Sequence, residues 1–215
     1  MSSVRVKICG VTTEADAHLV VASGADMLGL IVDVPVQTPR KVTLDVAAVL
    51  AKAVGDAIPV VTVLAPSSVK DVARVVQRVQ PFAVQLHGLE PPTLLKAVRT
   101  ALPEVKLIKT VHVDAGGTIH GELPDTELVD FILLDTFSAQ LGGTGAKHNW
   151  SASKAIVDQS PVPVILSGGL THLNVAEAIR SVKPYGVDVA SGVESAPGRK
   201  SVEKVVQFVR NARCT

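Results

Sequence analysis

Two side chains able to move protons stand where short apolar runs give way to polar residues. Cys9 closes the run Lys7-Ile8-Cys9-Gly10, and Asp135 closes Leu133-Leu134-Asp135-Thr136. A thiol serves as a base when nearby positive charge or oriented N–H groups lower its pKa. The bland alternative for Cys9 is a small buried hydrophobe, the usual fate of a free cysteine. A carboxyl at the end of an apolar run serves as an acid when desolvation raises its pKa. The bland alternative for Asp135 is a cap on a loop or helix.

Glycine clusters supply a second kind of chemistry. Gly142-Gly143-Thr144-Gly145 lies downstream of Asp135, and Ser167-Gly168-Gly169 and Ser191-Gly192 each close a later apolar run. Glycines let backbone N–H groups converge on an anion because no side chain intervenes. A single pair is more often a plain turn. Three clusters in succession predict a phosphate site at Gly142, Gly143, Gly168, Gly169, Ser191 and Gly192. Arg40, in Gln37-Thr38-Pro39-Arg40, has a fork suited to a carboxylate, or is a solvated loop residue. His87, after Gln85-Leu86, either orients a substrate or is a satisfied structural histidine. Asp188 faces a barrel interior or pairs with Lys7, and Lys109 balances a neighbouring carboxylate. His18, His112, His120, His148 and His172 show no metal-ligand spacing, so no metal is expected.

These residues need a frame that gathers strand ends. Eight apolar runs recur: Val4–Cys9, Met27–Val32, Pro59–Leu64, Phe82–Leu86, Val105–Val111, Phe131–Asp135, Val162–Leu166 and Val187–Ala190. Most are continuous rather than alternating, as in strands of a parallel sheet covered on both sides. The gaps hold helix signals. Thr13 with Asp16, and Ser68 with Asp71, read as capping boxes. Apolar faces follow at Ala17, Val20 and Val21 and at Val72, Val75, Val76 and Val79. Further faces are predicted at Leu94, Leu95 and Val98, at Leu173, Ala176 and Ile179, and at Val202, Val205, Val206 and Val209. Asp114–Glu122 is Gly-rich and polar, so a regular fifth helix is not expected there. Eight strands alternating with helices predict a single (β/α)8 TIM barrel spanning residues 1–215. An open doubly wound sheet competes, but its Gly-x-Gly-x-x-Gly turn is missing.

Bulk composition narrows the partners. Hydrophobic residues make up 47% of the 215 and aromatics only 3%, so Val, Ala, Leu and Ile must build the core. A formal net charge of +1 offers no field for nucleic acid or an acidic membrane. No apolar stretch reaches the roughly 18 residues that span a bilayer. Two cysteines and an N-terminus without a signal pattern predict a cytoplasmic protein. A small-molecule phosphosugar is the expected partner, with the chain a monomer or homodimer.

Nearly the whole chain resembles the phosphoribosylanthranilate isomerase family of tryptophan biosynthesis. The resemblance runs through Val6-Lys7-Ile8-Cys9-Gly10 with Thr12 and Asp16, Ser23-Gly24-Ala25-Asp26, Pro39-Arg40 and Gln85-Leu86-His87-Gly88. It continues through Leu133-Leu134-Asp135-Thr136, Gly142-Gly143-Thr144-Gly145, Asn149-Trp150 and Leu166-Ser167-Gly168-Gly169-Leu170. It ends in Val187-Asp188-Val189-Ala190-Ser191-Gly192-Val193-Glu194 and Pro197-Gly198. The resemblance implies a barrel of the ribulose-phosphate-binding type and a cofactor-free aldose–ketose isomerase. It implies an Amadori rearrangement of N-(5′-phosphoribosyl)anthranilate to 1-(2-carboxyphenylamino)-1-deoxyribulose 5-phosphate. It also implies Cys9 as base, Asp135 as acid, Arg40 on the anthranilate carboxylate and the glycines on the phosphate. Two segments depart from the family pattern: the longer, aromatic-free loop Ile31–Arg40, and Leu64-Ala65-Pro66-Ser67 where Phe-Val-Asn is usual. Both lie beside the expected anthranilate ring. Competing readings are a paralogue acting on another phosphorylated sugar, a histidine-pathway relative, and a non-catalytic phosphosugar-binding protein.

Overall fold

A computed structural model describes residues 4–137 and 149–215. Eight parallel strands close a ring: β1 (Arg5–Cys9), β2 (Met27–Asp33), β3 (Val60–Leu64), β4 (Ala83–Leu86), β5 (Lys106–Val113), β7 (Phe131–Thr136), β8 (Val164–Leu166) and β9 (Gly186–Val189). Each pairs with its neighbour, β4 joins β5, and β9 returns to β1 through Lys7 opposite Asp188. The helices are α1 (Glu14–Ala22), α2 (Leu44–Val54), α3 (Val69–Val79), α4 (Pro92–Ala101), α5 (Trp150–Gln159), α6 (Val175–Val182) and α7 (Val202–Arg213). The expected (β/α)8 barrel is therefore the observed fold, with strand bounds within a few residues of those read from the apolar runs.

The strands have two different faces. Alternate residues such as Val6, Ile8, Leu28, Leu30, Val84, Leu86, Leu134 and Leu166 pack outward in one apolar cluster with the helices. The intervening residues point into the barrel, as the period-two geometry of a strand requires. Low in the barrel, Met27, Val61, Ala83, Ile108, Leu133 and Ile165 form a separate dry layer. One step nearer the C-terminal ends of the strands, the inward positions become polar.

Helix starts match their signals in most places. Ser68 and Asp71 form the reciprocal capping box. Thr13 accepts from the Asp16 amide, but the Asp16 carboxylate turns away and accepts from the Lys200 amide at 3.3 Å. That local half of the predicted box is thus replaced by a tertiary bond. The α6 face also shifts: Leu173 lies before the helix and is 84% exposed, while Val175, Ala178, Ile179 and Val182 are buried. In α7, Val205, Phe208, Val209 and Ala212 form the buried face, and Val202 and Val206 stay exposed.

No helix links β5 and β7. The Gly-rich segment instead makes a hairpin, with β6 (Ile119–His120) antiparallel to the end of β5. Asp114 turns the chain by accepting from the amides of Gly116 and Thr118, each at 2.9 Å. Gly117 sits at φ +92°, which suits glycine. A second hairpin, β10 (Glu194–Ala196) with β11 (Arg199–Lys200), follows β9 and a short 3-10 turn at Ser191–Val193. Among the described residues no helix is long and apolar enough to cross a membrane.

Candidate active site

A cavity of about 550 Å³ opens at the C-terminal ends of the strands. Cys9 and Asp135, predicted from separate runs, both line it, as do Arg40, His87 and Asp188. Gly168, Gly169, Ser191 and Gly192 lie on its wall as well. Gly142 and Gly143 lie outside the described residues.

Cys9 owes its place to a neighbour without a side chain. Gly29 of β2 pairs with Cys9, and a Cβ there would lie 2.7 Å from the Cys9 sulfur. The thiol is buried, and burial pushes its pKa up. Lys7 and Lys200 pull it back down, while Asp188 adds to the upward push; the net direction is upward. Lys7 shares the inward face of β1 and is fully buried. Its Nζ donates to Asp188 Oδ1 at 2.9 Å, and Ser167 Oγ donates to Asp188 Oδ2 at 3.1 Å. Asp188 therefore both faces the interior and pairs with Lys7. Burial alone would lower Lys7, but Asp188 and Cys9 reverse the direction and raise it.

Asp135 lies on β7. Burial raises its carboxyl to about 7, assisted by Asp188 and opposed by the Thr136 amide and Lys7. The Thr136 N–H donates to Asp135 Oδ1 at 2.8 Å, leaving Oδ2 toward His87 Nε2 at 3.7 Å. Desolvation, then His112, Lys7 and Lys109, push His87 down to about 3, so its ring is neutral. Gln85 Nε2 sits 3.2 Å from His87 Nδ1 and 3.2 Å from Thr110 Oγ1. Thr110 Oγ1 also lies 3.2 Å from His87 Nδ1. His112 Nε2 donates to the His87 carbonyl at 3.0 Å. His87 thus belongs to an ordered polar network at the edge of the cavity.

Three glycines shape the far wall. Gly168 and Gly169 have successive positive φ values of +79° and +64°, a backbone path that side chains disfavour. At Gly192 a Cβ would sit 1.9 Å from the Leu170 carbonyl oxygen, so any side chain forces the two loops apart. Adjacent backbone amides in such turns form concavities suited to an anion.

The end of β2 and the loop after it give the cavity an aliphatic side through Ile31, Val34, Pro35 and Val36, joined by Val63 and Ala65. Asp33 does not enter it; it pairs with Arg74 at 3.0 Å on the outside. Arg40 ends this loop with one edge of its guanidinium already engaged. Nε and Nη2 donate to Glu194 Oε1 and Oε2, both at 2.7 Å. Lys109 pairs with the buried Glu90 at 2.5 Å, so it is a balanced charge rather than a cavity group. Sequence reasoning missed the functions of Gly29, Glu194 and Lys200. Glu194 stood within a noted motif, but its partner lies 154 positions away. Among the described residues no group of three His, Cys, Asp or Glu side chains could hold a metal ion.

Comparison with known proteins gives a consistent picture. A family model described as N-(5′phosphoribosyl)anthranilate (PRA) isomerase matches residues 6–211. An N-(5′-phosphoribosyl)anthranilate isomerase of Methanocella arvoryzae is 44% identical, with 98% of this chain and 99% of the relative covered. The crystal structure of phosphoribosyl anthranilate isomerase from Thermotoga maritima superposes with a TM-score of 0.84 at 34% identity, covering 99% and 100% of the two chains. A further solved isomerase, in complex with reduced 1-(o-carboxyphenylamino)-1-deoxyribulose 5-phosphate, gives a TM-score of 0.78 at 32% identity. It covers 99% of this chain and 100% of the solved one.

Proposed function

The chain belongs to the N-(5′-phosphoribosyl)anthranilate isomerase family of tryptophan biosynthesis, and from that premise we propose how its own residues divide the reaction. The enzyme converts N-(5′-phosphoribosyl)anthranilate to 1-(2-carboxyphenylamino)-1-deoxyribulose 5-phosphate, an aldose–ketose isomerisation.

The chemistry requires two proton movements. Asp135, protonated, gives its proton to the furanose ring oxygen; the C1′–O bond breaks and a Schiff base forms. Cys9, as thiolate, then takes the proton from C2′. The electron pair moves to give an enolamine, which tautomerises to the ketone. The single observation that carries this assignment is that Cys9 and Asp135 line one cavity. Burial keeps Asp135 protonated up to about pH 7; burial also raises the Cys9 thiol, and Lys7 and Lys200 offset part of that rise. A carboxyl poised near the working pH is the preferred acid.

Binding groups flank this pair. The amides around Gly168, Gly169, Ser191 and Gly192 receive the phosphate, together with Gly142 and Gly143. Arg40 takes the anthranilate carboxylate, and the aliphatic side of the loop after β2 covers the ring. His87 and Asp188 contact the pentose. The aliphatic loop stands where aromatic residues are usual in the family, so ring contact here relies on Val34, Pro35 and Val36. The working form is a single domain over residues 1–215, a monomer or homodimer in the cytoplasm, with no nucleic-acid partner.

Complementation of a tryptophan auxotroph lacking this isomerase tests the activity. Growth on minimal medium with the wild-type gene is expected. Absence of growth with soluble protein present would favour the paralogue acting on another phosphorylated sugar.

A further inference from the structure

Glu194 has no direct part in the proton transfers, yet it touches two of the groups around them. One of its faces takes the Nε and Nη2 hydrogens of Arg40 in a bidentate pair at 2.7 Å and 2.7 Å. Its Oε1 also accepts from Lys200 Nζ at 3.3 Å. Lys200 in turn donates to the Cys9 carbonyl at 2.6 Å and to the Ala190 carbonyl at 3.0 Å. Its side chain is completely buried, and each of its ammonium hydrogens has an acceptor. A chain of contacts therefore runs from the strand end that carries the thiol, through Lys200 and Glu194, to the guanidinium.

The backbone reinforces that chain. Glu194 and Lys200 face each other across the β10–β11 hairpin. The hairpin tip at Gly198 has φ +76°, and a Cβ there would lie 2.5 Å from the Pro39 carbonyl oxygen. Thr12 Oγ1 donates to the Gly198 carbonyl at 2.8 Å, tying the tip to the segment after β1. On the other side, a Cβ at Gly10 would lie 3.0 Å from Arg40 Cδ. Arg40 is thus packed between the Gly10 turn and the hairpin. The second Nη2 hydrogen and one Nη1 hydrogen form the end-on edge of the fork; the other Nη1 hydrogen lies on the Cδ side. Arg40 lines the cavity, and its side-chain hydrogen bonds among the described residues are those of the Nε–Nη2 edge to Glu194.

We propose that Glu194 is a positioning residue that holds Arg40 by its side edge, so that the Nη1–Nη2 edge is fixed in advance for the substrate's carboxylate. This rests on the reading that Arg40 receives that carboxylate. Preorganisation of this kind removes the cost of ordering a flexible arginine during binding. It also keeps a partly buried cation from standing unpaired before substrate arrives. Burial pushes the Glu194 carboxyl up, but Arg40 and Lys200 outweigh it and hold it below the usual range, so it remains anionic at neutral pH.

The test compares two substrates, N-(5′-phosphoribosyl)anthranilate and its aniline analogue, which lacks the carboxylate. Glu194→Gln keeps the shape of the side chain. It should raise KM for the anthranilate substrate by roughly 10-fold, the value of one charge-assisted hydrogen bond. Its kcat should be little changed, and kcat/KM for the aniline analogue should match wild type. Arg40→Ala should abolish the preference for the carboxylate. If Arg40→Ala loses that preference while Glu194→Gln retains it in full, the positioning role is wrong. An equal loss on both substrates in Glu194→Gln would also overturn it, because that marks a general structural role. If both variants keep the preference, the assignment of Arg40 itself fails. Should Glu194→Gln not fold, nitrogen NMR of the wild-type protein without substrate decides the matter. Separate, slowly exchanging Arg40 Nη signals are expected, and averaged signals would overturn the inference.

Discussion

The lower and upper halves of the barrel interior are built from the same strands and differ in almost every other respect. In the lower half Met27, Val61, Ala83, Ile108, Leu133 and Ile165 interlock without a polar atom in their side chains other than the Met27 thioether. In the upper half the next inward positions include Cys9, Gln85, Thr110, Asp135 and Ser167, with Asp188 on the cavity lining and Lys7 buried beneath it. The lower layer lowers free energy by removing apolar surface from water. The upper layer holds charges out of water, which costs stability unless they are paired. One fold thus separates the part that stabilises from the part that reacts, within two residues along each strand.

That separation is open to direct attack. The largest expected effect is on turnover in the upper half. Cys9→Ala and Asp135→Asn should each lower kcat by at least about 100-fold, the usual scale for an acid–base group. Steady-state kinetics on folded protein checks this, and a fully active variant would remove that residue from the mechanism. In the lower half, Ile108→Ala should cost about 2–5 kcal/mol of stability, as buried Ile-to-Ala truncations do. Denaturant unfolding measures the loss, while kcat below the unfolding transition should stay near wild type.

Gly29→Ala probes the boundary between the halves. The added methyl would fall 2.7 Å from the Cys9 sulfur, so the thiol must rotate away or the strands must part. Displacement of a reacting group by about 1 Å typically costs up to about 100-fold in rate. A loss of roughly 10-fold in kcat with a small change in Tm is the expected outcome. Unchanged kcat would show that the thiol has more room than the packing indicates.

The last effect concerns pH. The Asp135 carboxyl is raised from 3.8 to about 7 in the folded protein. Below 3.8 it is protonated in both states, and its buried neutral form carries no charge penalty. As pH rises through 3.8 the unfolded chain loses its proton first, and stability falls until the folded group ionises near 7. Asp135→Asn removes this slope. Its Tm relative to wild type should therefore be higher at pH 8 than at pH 4, as melting curves at the two pH values would measure. The same difference at both pH values would contradict the raised carboxyl.

Much of this division was readable before any coordinates. The continuous apolar runs of β1, β2 and β7 fixed the barrel strands because parallel strands are covered on both faces. Cys9 and Asp135 stood out because each interrupts such a run at its end. Glu194 and Lys200 did not stand out as functional, because a charge far along the chain acquires meaning only from its folded partner. Gly29 was invisible for a related reason: its role is the space it leaves for a sulfur on the adjoining strand. The α6 face was misread because Leu173 precedes the helix, and helix starts are set by caps as much as by periodicity. Asp114–Glu122 was legible as non-helical, but its hairpin was not, since the two-residue β6 has almost no local signature.

The account depends most on two groups reaching one pentose, and a crystal structure with a reduced, non-reacting product analogue tests that directly. The account predicts the Cys9 sulfur within contact of C2′ and the Asp135 carboxyl within hydrogen-bond reach of the oxygen derived from the opened ring, with the phosphate against Gly168, Gly169 and Gly192. An analogue bound in this cavity with either side chain out of reach of those atoms would contradict it.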